Sequence, residues 1–220
     1  MKTHHAVTLG LAMAICGGGD VGDAMAQPGA YAPPPPASPQ GYYSGSSYAA
    51  DGYYPRAGRM VMGAALGLGG MSVADRAVTC SNCAYNPAAV GVAAHIGGML
   101  SNQLGLMFEA QGNYQTVEAR ADGNILLAQS TALIAAQYWA SPRLWLKGGV
   151  GFAVLSTVQD STDAQTDLGA GGAALFAAGY ELLATPTFAV DLQGRFLLAS
   201  YDGLQARSQV GTVGVGFSFY

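Results

Sequence analysis

Six ionisable side chains set into otherwise apolar stretches are the best candidates for chemistry in this sequence: Arg59, Lys147 and Arg195 against Glu109, Glu181 and Asp191. Gln111, Gln129, Gln137 and Gln193 recur at the same parity. Charges taken out of water must be paired and hydrogen-bonded, so the set predicts an internal electrostatic network. His95 and Glu109 lie about equally far from Asn102, and a hairpin turning there would bring a base beside a carboxylate. Nucleophilic catalysis also needs a hydroxyl or thiol within reach of the base and a third group to orient it. Ser101 falls at the turn and Ser130 has the opposite parity, so no serine stands in an obvious partner position. One histidine beside one carboxylate reads as an interior pair, and no enzymatic activity is expected from it.

Cys80 and Cys83 form the other constellation, in the polar run Cys-Ser-Asn-Cys. In an exported chain this spacing predicts a local disulfide. A structural metal wants about four ligands and no second Cys/His cluster exists, while a redox dithiol belongs at a helix start rather than in a loop. Gly67-Leu68-Gly69-Gly70 lies inside a strand-like run, where glycine eases curvature rather than cradling phosphate. No cofactor or metal is implied.

The elements that must position these residues share one pattern. In residues 187–200, Phe188, Val190, Leu192, Phe196 and Leu198 fall on one parity, and Asp191, Gln193 and Arg195 on the other. Such period-two alternation predicts an extended strand with two unlike faces. It recurs in about eight segments: Arg59–Val73, Ala88–Leu100, a third from Leu104 to Tyr114, Asn124–Trp139, a fifth from Leu144 to Val154, a sixth from Ala174 to Leu182, the stretch just quoted, and a last through Val213, Val215, Phe217 and Phe219. Tight turns are expected near Asn102, Pro142 and Pro186, and longer polar loops around 74–87, 118–123, 156–167 and 201–207. Counting from the tight turns puts Lys147 and Glu181 at similar depths with Asp191 close by, which predicts a Lys147–Glu181/Asp191 cluster.

Only 10% of the 220 residues are charged, against ~25% in soluble domains, and the mean hydropathy is +0.25. The net charge of −4 gives no support to nucleic-acid binding. Lys2, the apolar run Ala6–Cys16 and Ala24-Met25-Ala26 read as an export signal over 1–26; Ile15 fits poorly before a lipidated Cys16. Residues 27–58, with Pro33–Pro36 and repeated Gly, Ser and Tyr, have the composition of a disordered periplasmic tether. A Pro/Tyr-rich contact with cell wall or protein is the sharper alternative for that segment.

After residue 26, no charged side chain falls on the apolar parity of the eight segments. A charge facing lipid at mid-depth would cost ~2–4 kcal/mol, so this segregation fits a bilayer around residues 59–220. There an open sheet would leave unsatisfied edges, and closure is required. The fold class expected is all-β, an eight-stranded antiparallel up-and-down transmembrane β-barrel. A helical membrane protein is the weaker alternative: Ile125–Ala140 is uncharged, but no clean run of ~20 apolar residues appears. A soluble ligand-carrying barrel would need a polar outer face.

With these alternations, Leu146-Lys147-Gly148-Gly149-Val150-Gly151-Phe152 and the end Gly216-Phe217-Ser218-Phe219-Tyr220, the chain resembles the small eight-stranded outer-membrane barrels. These include the transmembrane domain of outer-membrane protein A and its opacity-type and X-type relatives. The resemblance implies a Gram-negative outer membrane, with lipids and the barrel-assembly machinery as partners, and Phe217, Phe219 and Tyr220 as the assembly signal. It departs from that pattern in ending its apolar alternation one residue before the terminus, and no C-terminal wall-binding domain is expected. A barrel of eight strands is just wide enough to be filled by side chains. Arg59, His95, Glu109, Lys147, Glu181, Asp191 and Arg195 are therefore expected to plug the lumen in an envelope-stabilising or loop-presenting protein. The alternative is a narrow polar pore for small solutes or ions, and a hydrolase is remote. Asp160, Asp163 and Asp167 share one loop, expected to be solvated rather than to bridge divalent cations.

Overall fold

The alternation becomes long antiparallel strands because each has one apolar and one mixed face, and a sheet curled on itself can keep the two apart. The computed structural model describes residues 53–161, 164–202 and 205–220. The expected export signal, most of the tether and Asp163 lie outside the described residues.

Eight long strands are β1 (Met60–Val73), β3 (Ala89–Met99), β4 (Leu104–Arg120), β5 (Gly123–Trp139), β6 (Leu144–Gln159), β7 (Ala164–Ala184), β8 (Phe188–Tyr201) and β9 (Ala206–Phe219). A two-residue strand, β2 (Arg76–Ala77), folds back on the end of β1. Each long strand pairs antiparallel with the next, and β9 returns to β1, from Met62 opposite Phe219 to Val73 opposite Ser208. Closure satisfies the edges that an open sheet would leave unpaired. Ile125–Ala140, ambiguous between helix and strand by composition, is strand β5 to Trp139. Among the described residues no helix is long and apolar enough to cross a membrane.

The outward parity is the apolar one. Phe152 is 75% exposed, Val150 68% and Ile134 63%, whereas Glu109 is fully buried. That contrast inverts a soluble barrel, where such side chains would fill the interior.

One end carries the turns between β3 and β4, β5 and β6, and β7 and β8, together with residues 53–58 and Tyr220; the other carries the remaining connections. Two connections expected as loops are largely strand. β4 and β5 stay paired out to Arg120 opposite Gly123, and β6 and β7 out to Gln159 opposite Ala164. A tilted strand needs only ~9–11 residues to cross a bilayer, and β7 has 21. Pairing continues past that span because the ladder satisfies backbone groups as well as water does.

The interior is packed at both ends. Leu133, Leu155, Leu175, Leu197 and Val210 form one apolar cluster, joined by Val78 and Val117 at the loop end. Val61, Met99, Met107, Trp139 and Trp145 form the second, against which Tyr53 and Tyr220 pack at the turn end. Trp145 fits because Gly179 opposite it on β7 has no side chain; a Cβ there would collide with the indole ring. Residues 53–58, assigned by composition to the tether, lie against the turn end, with Arg56 buried.

Candidate functional site

The polar interior is assembled by strands distant in sequence. Glu109 from β4 accepts from Lys147 Nζ of β6 at 2.9 Å through Oε2, and from Arg195 Nη2 of β8 through Oε1. Arg195 also donates to Gln111 Oε1 at 2.9 Å and to Gln193 Oε1 at 3.0 Å. From Gln111 the network continues through Asn113 and Gln129 to Tyr201 and Ser208, with links of 3.0, 3.3, 2.6 and 2.6 Å. These groups are nearly or fully buried, so the Glu109 carboxylate between two cations is the arrangement a low-dielectric interior requires.

Glu181 has a different partner. Its carboxylate takes two parallel hydrogen bonds of 2.9 Å from the Arg56 guanidinium and one of 2.8 Å from Trp139 Nε1. Lys147 therefore hydrogen-bonds Glu109; of the cluster expected from turn counting, Asp191 stays within electrostatic reach of Lys147, while Glu181 turns to Arg56. The cause is the stagger between neighbouring strands that barrel closure imposes. Lys147 pairs with Ala177, and Glu181 lies four residues nearer the turn, ~13 Å along a strand. Its amide reaches the Arg143 carbonyl at 2.8 Å.

Arg59 is also displaced from its expected place. It precedes β1, is half-exposed, and donates to the Pro186 carbonyl at 2.8 Å instead of entering the lumen. Arg56 takes the buried position. Three buried cations (Arg56, Lys147, Arg195) still stand against three buried carboxylates (Glu109, Glu181, Asp191). Asp191 Oδ1 has no hydrogen-bond partner among the described residues.

Register sets His95 opposite Glu109. The hydroxyl that sequence reasoning did not find is Ser218, whose Oγ lies 3.4 Å from His95 Nε2. β3 and β9 are not neighbours; both flank Gly63 of β1, and only the barrel seam brings them together. The Glu109 oxygens accept from Lys147 and Arg195, and among the described residues no hydrogen bond joins Glu109 to His95, so the serine–histidine pair has no bonded carboxylate to orient it as in nucleophilic catalysis.

At the loop end Cys80 and Cys83 are disulfide-bonded, with Cα atoms 5.7 Å apart. Ser81 between them bonds the edge of β4, its amide to the Val117 carbonyl at 2.9 Å and its carbonyl to the Ala119 amide at 3.2 Å. Buried Gln115 donates from below to the carbonyls of Val78 at 2.8 Å and Pro87 at 3.2 Å. The loop is thus folded down over the lumen. Inside, a cavity lined by Gln111, Gln193, Arg195 and Thr212 has a volume of about 10 Å³, room for about one water.

Among solved structures, the chain is similar to neisserial surface protein A at 14% identity and a TM-score of 0.51, covering 73% of this chain and 96% of that one. The chain has the fold of the small outer-membrane barrels. Lower-scoring likenesses are the Yersinia pestis attachment invasion locus protein Ail (11% identity, TM-score 0.48, 74% of this chain and 99% of that one) and the N-terminal barrel of Pseudomonas aeruginosa OprF (16% identity, TM-score 0.38, 73% and 97%). No protein-family model and no curated protein sequence matches.

As a transmembrane barrel, the chain divides its last residues by face. Phe217 and Phe219 point outward, while Tyr220 turns in, its amide bonded to the Thr187 carbonyl at 3.0 Å and its hydroxyl to Glu181 at 3.4 Å.

Proposed function

We propose that this protein is a sealed outer-membrane barrel that contributes to the envelope mechanically and presents its loops at the surface, without conducting solutes. The observation that carries the reading is the Glu109–Lys147–Arg195 network, whose buried side chains from β4, β6 and β8 meet across the lumen. A pore would need a continuous water path past these groups. Here Arg56, Lys147 and Arg195 are each bonded to a carboxylate, and apolar clusters fill the barrel toward both ends.

In this reading residues 1–26 direct export and 27–52 are a periplasmic spacer with capacity for wall or protein contact. Phe217, Phe219 and Tyr220 are read by the assembly machinery, and outer-membrane lipids cover the outward face. No turnover is assigned to the His95–Ser218 pair.

Reconstitution of the folded, full-length protein into planar bilayers tests the reading. The expected record is a flat baseline at all voltages. Steady, ion-selective openings that change on Lys147→Met or Arg195→Met would replace the sealed barrel with a narrow pore. Recovery of the protein from the outer-membrane fraction, with a gel mobility that shifts on boiling, checks the location.

A further inference from the structure

Residues 53–58 cross the turn end and are held there by a site suited to one kind of group. Arg56 is 2% exposed, and its two Nη atoms fork onto the two oxygens of Glu181 at 2.9 Å each. Its Cζ lies 4.0 Å from the centre of the Tyr220 ring, 5.2 Å from that of Trp139 and 5.7 Å from that of Tyr54. Glu181 is braced by Trp139 Nε1 at 2.8 Å and the Tyr220 hydroxyl at 3.4 Å. A carboxylate that accepts from both Nη atoms beside aromatic rings matches a planar, forked, weakly hydrated cation; an ammonium would meet it only as a point charge.

Glu181, Trp139 and Tyr220 all belong to the barrel, while Arg56 arrives on a segment of a different character. The rest of that segment is half-exposed or exposed. It is tied down by a few hydrogen bonds: the amides of Arg56 and Ala57 to Asn102 Oδ1 at 3.1 and 3.0 Å, the Gly58 amide to the Met99 carbonyl at 2.8 Å, and the Tyr54 hydroxyl to the Ala184 carbonyl at 2.8 Å. The one deeply anchored side chain is therefore the one in the socket.

We propose that Glu181, Trp139 and Tyr220 form a guanidinium-binding socket at the turn end, filled in this state by Arg56. Residues 53–58 then act as a latch, and its release exposes a site for an arginine side chain presented by another polypeptide. The socket is separate from the Glu109 network, and conduction plays no part in it, so the sealed-barrel reading stands or falls independently.

The test uses the full-length protein folded in detergent micelles, with Trp139 as an intrinsic reporter inside the socket. Arg56→Gly empties the socket, and methylguanidinium titrated in the millimolar range should change tryptophan emission saturably. Methylammonium should bind at least tenfold more weakly. The wild-type protein and the Arg56→Gly/Glu181→Gln double variant should show no saturable change. A folded Arg56→Gly variant, verified by its heat-dependent gel shift, that binds neither probe or binds both equally would overturn the socket. Should Arg56→Gly not fold, Arg56→Lys decides, since it keeps the charge and loses the fork. Chymotrypsin should then cut after Tyr53 several-fold faster than in the wild type, and equal rates would overturn the latch.

Discussion

His95 Nε2 and Ser218 Oγ lie 3.4 Å apart because Gly63, paired with both residues, puts no side chain between them. A Cβ at Gly63 would stand 2.6 Å from two atoms of the imidazole. The contact is thus a product of strand order around the seam, and the missing side chain at residue 63 is as necessary to it as the two polar groups.

A Cβ at Gly63 would also run into the Phe217 carbonyl oxygen of β9, so Gly63→Ala should displace the seam backbone as well as the His95 ring and destabilise the barrel by at least about 1–3 kcal/mol, the range for overpacking a filled interior. Urea unfolding in lipid vesicles followed by tryptophan emission measures this. A double-mutant cycle of His95→Ala and Ser218→Ala should give a coupling of about 1 kcal/mol or less, as for one neutral hydrogen bond. A coupling several times larger would mean that the pair is engaged in a wider network than its geometry shows.

Glu109 and Lys147 should not be equivalent when removed. Glu109→Gln leaves Lys147 and Arg195 buried without their carboxylate, and a loss of about 3–5 kcal/mol is expected for breaking a buried pair in this way. Lys147→Met leaves Glu109 still bonded to Arg195 and should cost clearly less. The same unfolding assay ranks the two; the reverse order would show that Lys147 carries the network.

The outward face can be titrated with a single charge. Val150→Lys, at a position 68% exposed in the isolated chain, should destabilise by about 2–4 kcal/mol if that face meets hydrocarbon at mid-depth. Val150→Leu should be close to neutral. In a soluble barrel the lysine would be harmless, so the assay also tests the membrane placement.

The Cys80–Cys83 bridge should govern the loop and leave the barrel alone. Closing so short a loop is worth about 2 kcal/mol at most on chain-entropy grounds. The barrel itself is closed by backbone pairing from Met62–Phe219 to Val73–Ser208. Replacing both cysteines with serine should speed proteolysis within residues 74–88 while preserving the heat-dependent gel shift. Loss of that shift would make the loop part of the folding core.

The sequence alone determined the strands, their faces and the closed sheet, because each depends on local periodicity and on the requirement that apolar and charged parities be separated. Residues 188–198 show this directly: Phe188, Leu192 and Phe196 face out, and Asp191, Gln193 and Arg195 face in, as alternation dictates. Register across a tight hairpin was legible for the same reason, as with His95 opposite Glu109. Only the tertiary structure decided which charges meet. Barrel stagger moved Lys147 away from Glu181 and onto Glu109, a shift that counting from turns does not contain. It also decided that Arg56 rather than Arg59 enters the turn end, because no periodicity marks a residue that precedes the first strand. And it brought Ser218 to His95 across the seam, since residues 123 positions apart become neighbours only when the last strand finds the first.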